Sequence, residues 1–386
     1  MIKTLIVVLC LVIGASPTGH CIRDTLKEDM ELERQLKLIN KPPVKTIHTK
    51  YGDTVDCIDI NKQPAFDHPL LKNHKLQKKP SIRKPFEKSS MKKLQGTQIF
   101  GFVKCPKGTI PIRRTTKEEL IQEKQLLNSS IFVKDVSGVH LAEMALSSKY
   151  GPYYGIEGGT SIYNPRVTKG QMSLSHVWVE NGPIDSNNKI SVGWHVSLDL
   201  YGDNRTHSYV SWTRDNFHKT GCYNLRCPGF VQTNPASYIG GPFLNTSLYG
   251  GPTYRFVVSI SQDPKSKNWW IHLSNTIAVG YFPAKLFSNL SSADKVGWGG
   301  RTLTPRGSLS PTMGSGYFPD GNFYHACYFT YIYYKNASRK NYGPENYQIK
   351  KYVDNPKCFG LSYYGNLHRK VEYCLQFGGP GGDCGD

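Results

Sequence analysis

At 386 residues the chain has length for two or three domains and a sizeable core. A hydrophobic content of 38% fits a soluble protein, and 24 Tyr with 37 Gly lean towards short strands and turns. The formal net charge of +19, spread over both halves, favours an acidic polysaccharide, a membrane surface or nucleic acid. With no zinc-finger, RNP-like or helix-turn-helix pattern, nucleic acid is set aside.

Met1-Ile2-Lys3 followed by the apolar run Leu5 to Ile13 reads as a signal peptide, too short to span a membrane by itself. Cleavage after Cys21 puts Gly19 and Cys21 at the small-residue positions; cleavage after Ser16 competes. No other run approaches ~20 apolar residues, so the expectation is a secreted protein with no membrane anchor. In an oxidising compartment the remaining cysteines read as disulfides rather than metal ligands. Cys222 and Cys227 could form half a zinc site, but no matching Cys/His pair follows, and no metal is expected. Sequons at Asn128, Asn204, Asn245, Asn289 and Asn336 agree with export and predict glycosylation.

Asp24 to Asn40 is rich in Leu, Glu and Lys and stops before Pro42-Pro43, which predicts a short helix. From Pro42 to Lys93 the chain is basic and proline-punctuated, with little period-two pattern, as expected of an extended segment draped over another domain. It contains three distinctive words: Tyr51-Gly52-Asp53, Asp56-Cys57-Ile58-Asp59, and Gln63-Pro64-Ala65-Phe66-Asp67-His68-Pro69-Leu70. A fourth runs from Cys105 to Arg113 as CPKGTIPIR, followed by Arg114.

After about Gly138 short alternating runs are separated by Gly, Pro, Asn and Asp. Strands are predicted at 160–163, 172–179, 190–196, 206–213, 254–260, 268–273, 277–282, 326–334 and 358–364. Turn signals every 8–12 residues or so indicate an all-β sandwich or barrel. The central stretch is Asn188 to Asp203, NKISVGWHVSLDLYGD. Ile190, Val192, Trp194 and Val196 alternate there with Ser191, Gly193, His195 and Ser197, which gives one apolar and one polar or small face. Further words are Ser173-Leu174-Ser175-His176-Val177-Trp178, Thr220-Gly221-Cys222-Tyr223-Asn224-Leu225, Trp269-Trp270 and Val296-Gly297-Trp298-Gly299-Gly300-Arg301.

These words resemble the neprosin family of secreted glutamic endopeptidases, together with its activation peptide. The resemblance implies a signal peptide at 1–21, an activation peptide at 22–130 and a catalytic-type domain at 131–386. It implies an antiparallel two-sheet β-sandwich with a substrate groove, preceded by an extended pro-segment with a short helix. It also implies the disulfides Cys57–Cys105, Cys222–Cys227 and Cys358–Cys384, with Cys327–Cys374 as a further pair, and it implies no cofactor.

The family's two catalytic glutamates fall at Ser191 and Arg301. Two close carboxylates divide a proton, so one acts as general base on water and the other as general acid. Serine has no useful basicity at acidic pH, and arginine stays protonated. Ser191 and His195 share a strand face about 13 Å apart, too far for a dyad. His176, His218 or His325 could approach Ser191 from another strand, but no G-x-S-x-G elbow surrounds it, which favours filler over nucleophile. Asp199 replaces a non-catalytic family Glu, and Glu157 and Glu180 stand in turn-like contexts.

Three functions remain open. The first is a catalytically deficient neprosin-like protein whose groove binds proline-containing peptide or glycan chains. The second is an active glutamic endopeptidase that uses other acids and cleaves at proline. The third is a binder of acidic cell-wall polysaccharide. The sequence leaves the oligomeric state open.

Overall fold

The computed structural model describes residues 17–81, 101–129, 131, 137–273, 277–368 and 371–385. The expected leader falls almost entirely outside that set. Helix α1 (Pro17–Ile39) begins earlier than the composition suggested and ends one residue before Asn40, ahead of the prolines. The next segment is more ordered than an extended drape. Strands β1 (Lys45–His48), β2 (Thr54–Asp59) and β3 (Thr109–Arg113) form a three-stranded antiparallel sheet, and the Cys57–Cys105 disulfide ties it together. A second helix, α2 (Lys117–Ser129), follows with Glu118 and Glu119 in its first turn, where carboxylates complement the exposed N–H groups. The sequence reading missed it.

The rest is all-β. One sheet contains β4 (Val139–Leu146), β6 (Met172–Asn181), β7 (Asn188–Val196), β8 (Thr206–Thr213), β9 (Cys222–Tyr223), β14 (Lys295–Leu303) and β17 (Ile349–Val353). Its order is β17-β4-β14-β6-β7-β8-β9. The single-turn helix α3 (Leu198–Tyr201) follows β7 and ends at Gly202, whose φ of 69° is the left-handed value a helix C-terminus favours. The second sheet contains β5 (Gly155–Ser161), β10 (Val231–Gln232), β11 (Arg255–Gln262), β12 (Trp269–Leu273), β13 (Ile277–Phe282), β15 (Cys327–Lys335), β16 (Asn341–Tyr342), β18 (Gly360–Asn366) and β19 (Tyr373–Gly378). Every strand pair is antiparallel.

Period-two alternation fixes what lies between the sheets. Val177, Val192, Trp194, Val210 and Trp298 from the first sheet share one core with Ile156, Val258, Ile260, Trp269, Phe329 and Phe377 from the second. Two of the buried indoles, one from each of β7 and β14, also have partners for their N–H groups. Trp194 Nε1 donates to the Ser161 carbonyl at 2.9 Å, and Trp298 Nε1 donates to the Glu157 carbonyl at 2.8 Å. Both bonds cross from one sheet to the other, so they fix the relative position of the two layers as well as satisfying the rings. This is an antiparallel two-sheet sandwich preceded by a segment that carries helix.

Cys222–Cys227 and Cys358–Cys384 are bonded, while Cys327 and Cys374 are free and buried. The expected fourth pair fails on register. Cys327 lies opposite Phe377, three residues along β19 from Cys374. An odd offset places the two side chains on opposite faces of the sheet.

The N-terminal segment docks on the sandwich through paired polar groups. Gln63 and Gln232 exchange side-chain-to-backbone hydrogen bonds at 2.8 and 3.1 Å, and the Tyr238 hydroxyl donates to Asp53 at 2.7 Å. Arg113 bridges Asp53 and Glu119, each at 2.7 Å. Glu119 also lies 3.6 Å from Arg226 of the sandwich.

Candidate active site

The face of the seven-stranded sheet turned away from the core carries the chemistry. Strand pairing sets Glu143 opposite Gly299, Gly299 opposite His176, His176 opposite Gly193, and Gly193 opposite Tyr209. Residues in one such row share a face, so Glu143, His176 and Tyr209 point the same way. Arg301 lies two residues from this row along β14 and Ser191 two residues from it along β7, on the same face but on opposite sides of the row. The two glycines keep the row open between the side chains. A Cβ at Gly193 would run into the Ser175 carbonyl, and one at Gly299 into the Ala142 carbonyl. Gly299 also has a φ of 154°, a backbone setting that strongly favours glycine.

A continuous hydrogen-bonded chain results. Arg301 grips Glu143 with two nitrogens, Nε to Oε1 at 2.5 Å and Nη2 to Oε2 at 3.0 Å. His176 Nε2 lies 2.7 Å from Glu143 Oε1, and its Nδ1 lies 2.7 Å from Ser191 Oγ. The Tyr209 hydroxyl is 3.1 Å from the same Nδ1. Arg301, Glu143 and His176 are wholly buried, and Ser191 is 1% exposed.

These environments set the charges. Burial alone pushes the Glu143 carboxyl up, but the Arg301 guanidinium and the His176 hydrogen bond outweigh it and hold the group well below the ordinary carboxylate range. Burial pushes His176 down to about 4 against the upward pull of Glu143, so the imidazole is neutral at neutral pH. A carboxylate only accepts, which assigns the single imidazole proton to Nε2 and leaves Nδ1 as the acceptor facing Ser191.

Ile131 lies against this face. The Ile131 carbonyl accepts a hydrogen bond from Arg301 Nη1 at 3.0 Å, and the Ile131 side chain is buried with Leu174, Tyr209 and Leu303. In α2, Glu123 accepts the Tyr223 backbone N–H at 2.8 Å. Arg301 is therefore held on both sides, by a carboxylate of the sheet and by the Ile131 peptide carbonyl.

Ser191 and Arg301 do share this face, as the sequence suggested, but they do not confront one another directly. His176 and Glu143 stand in the path between them. His195 is engaged elsewhere, 2.7 Å from the Tyr223 hydroxyl and 2.9 Å from that of Tyr201. His325 is on the surface beside Asp320, at 2.6 Å. Glu157 and Glu180 are strand residues rather than turn residues. Glu157 is buried in the second sheet, and Glu180 is paired with Lys189 at 3.3 Å. Asp199 accepts the Gly170 backbone N–H at 2.6 Å.

Glu143 was the residue sequence reasoning missed. The available signal was a charged residue on the Val139, Leu141, Glu143, Ala145 face of an apolar run, and every member of that run is buried. Among the described residues no three His, Cys, Asp or Glu side chains gather as metal ligands.

The fold and this site meet their relatives in the sequence. The Neprosin family model matches residues 169–380, more than half of the chain, and the Neprosin activation peptide model matches residues 46–143. The chain belongs to the neprosin family. Among solved structures it is similar to scytalido-glutamic peptidase with a transition state analog inhibitor, at 7% identity and a TM-score of 0.34. That likeness covers 62% of this chain and 98% of the other. It is also similar to SCP-B, a member of the eqolisin family of peptidases in complex with the tripeptide Ala-Ile-His, at 10% identity and a TM-score of 0.32. There the cover is 62% of this chain and 97% of the other.

Proposed function

We propose that this is a secreted, glycosylated neprosin-family protein deficient in the family's two-glutamate chemistry, with a peptide-binding groove on the outer face of the seven-stranded sheet. The observation that carries the proposal is the two-pronged contact of Arg301 with Glu143. A glutamic peptidase needs two acids dividing a proton. Here the one carboxylate in the network is ionised against a permanent cation, and the positions expected to hold the pair are Ser191 and Arg301. A peptide carbonyl already rests on Arg301 Nη1, which fits a groove suited to extended chain. Asn204, Asn245 and Asn289 are exposed, as glycan attachment requires.

The experiment is to rebuild the pair. Arg301→Glu alone would strip Glu143 of its partner, so Ser191→Glu and Arg301→Glu are combined with Glu143→Ala. The triple variant should gain cleavage of a proline-containing peptide at acidic pH, with each single variant near background. General acid–base catalysis is worth roughly 10²–10⁴-fold per group, which sets the size of the expected gain.

A second surface favours a sugar-binding role. Tyr249 stacks on Tyr317 at 3.9 Å and on His325 at 4.5 Å, and Phe318 and Tyr324 are exposed in the same stretch of chain. Stacked rings beside hydrogen-bonding side chains suit a sugar face, and the net charge of +19 suits an acidic one. Salt-sensitive retention on a pectate column, lost on Tyr249→Ala, would support this reading.

A further inference from the structure

We propose that the chain carries a further binding site, for a neutral oligosaccharide, in an open cavity at the C-terminal end of β18 in the second sheet. It shares no residue with the outer face of the seven-stranded sheet or with the Tyr249 stack, so it stands apart from both readings above. The cavity measures about 470 Å³ and lies between the end of β18 and the turn at 344–346. That volume is in the range of small-molecule sites. Glu345 and Asn346 on its wall are exposed, so a ligand enters the intact chain with no segment moved aside.

An irregularity in the strand creates the site. Tyr363 pairs with Leu375 and Gly365 with Cys374, which leaves Tyr364 as the extra residue of a β-bulge. Gly365 has a φ of 67°, the left-handed value that such a bulge favours in glycine. Neighbours in a regular strand face opposite ways, whereas here Tyr363 and Tyr364 both line one cavity. Each ring is then fixed from behind. The Tyr363 hydroxyl donates to the Pro344 carbonyl, and that of Tyr364 donates to Gln376 Oε1 at 2.7 Å. Gln376 is wholly buried and is held in turn by the Gly321 N–H and the Asn322 carbonyl, each at 2.8 Å. Tyr373 packs so closely on Gly343 that a Cβ there would fall 2.0 Å from its ring. Rings already held in place cost a ligand little ordering entropy.

The lining selects the ligand. Apart from Pro344 it holds no aliphatic side chain, only tyrosine rings and hydrogen-bonding groups. That composition disfavours the apolar anchor of a peptide, which needs a dry hydrocarbon pocket. A pyranose with equatorial hydroxyls matches it, with flat C–H faces for the rings and hydroxyls around its edge. Glu345 Oε1 takes a long contact of 3.5 Å from the Tyr373 hydroxyl. Asn366 uses Oδ1 to accept the His368 N–H at 2.8 Å, which leaves its amide nitrogen as a donor. The Asn346 side chain makes no hydrogen bond among the described residues and is exposed. One carboxylate and two amides thus offer acceptors and donors to sugar hydroxyls, and the carboxylate repels a uronate. The ligand that fits is a neutral chain of equatorial sugars.

The test titrates the intact full chain with cellohexaose at neutral pH, followed by saturation-transfer NMR, with hexagalacturonate and decaproline in parallel. Cellohexaose should bind, with transfer strongest at its C–H protons. Its affinity should fall roughly 2- to 10-fold in Tyr364→Ala, which removes one ring, and by a similar factor in Asn346→Ala. It should hold in Tyr364→Phe, which keeps the ring, and in Tyr249→Ala. Asn346→Ala changes an exposed side chain, so it reads the site even where Tyr364→Ala fails to fold. No transfer to cellohexaose at millimolar concentration overturns the proposal. Binding that Asn346→Ala leaves unchanged, in a protein with native tryptophan fluorescence, overturns it as well. Binding of hexagalacturonate or decaproline that Asn346→Ala weakens overturns the neutral-sugar assignment in favour of a uronate or a peptide. Pectate retention lost in Tyr249→Ala reports on the other surface, so the two failures are distinct.

Discussion

Arg301 and Glu143 form a two-pronged ion pair with no solvent exposure, one partner on β14 and the other on the neighbouring β4. Buried pairs of this kind contribute little against an apolar substitute, but breaking one leaves an uncompensated charge. Glu143→Gln or Arg301→Met alone should therefore cost about 3–5 kcal/mol in urea unfolding, and the combination should recover much of that loss. Equal costs for the single and double changes would contradict the pairing.

The same pair predicts an acid limit. The folded-state pKa of Glu143 is depressed, so the stability it contributes is present above the ordinary carboxylate value and is lost as pH falls through the folded one. An acid titration followed by tryptophan fluorescence should show the sheet intact through the mildly acidic range, with Glu143→Gln abolishing that component.

Glu123 behaves in the opposite sense. Burial raises its carboxyl from 4.5 to about 7, partly offset by Arg226 and the Tyr223 N–H. An acid with a raised folded pKa favours folding while protonated, so its contribution to α2 docking falls as pH climbs from 4.5 to about 7. Hydrogen exchange at the Tyr223 amide should accelerate over that window in the wild type, and Glu123→Gln should flatten the dependence.

Glu157 is buried in the second sheet with Oε2 unpartnered, and burial raises its carboxyl well above the ordinary value. Glu157→Gln should therefore stabilise the chain at neutral pH, because the unfolded chain no longer gains from ionising a carboxyl that burial keeps protonated in the fold. The gain should vanish below the ordinary carboxylate pKa. Thermal denaturation of the two proteins at both pH values makes the comparison.

The sandwich was legible because its strands alternate. Ile190 to Val196 and Met172 to Val179 announce their apolar faces residue by residue, and both are strands within those limits. Ser191 and Arg301 were also legible, because they interrupt recognisable words. The relation between them was not. It depends on the register of four strands that brings Glu143, Gly299, His176 and Gly193 into one row, and no local pattern encodes cross-strand register. Glu143 was hidden inside a run that reads as simply buried. Helix α2 was passed over although its Glu-rich first turn was visible. The free Cys327 and Cys374 have the same origin as the other misses, since a pair three residues out of register looks the same in sequence as one in phase.

The most direct measurement is peptide cleavage by the wild-type chain, with the segment between Lys117 and Gly138 cut, on a proline-containing substrate across acidic pH. The account predicts no turnover above the level of Arg301→Met at any acidic pH, because Glu143 is ionised against Arg301 and has no second acid to divide a proton with. Cleavage with an acidic optimum that survives purification and disappears in Glu143→Gln would contradict it.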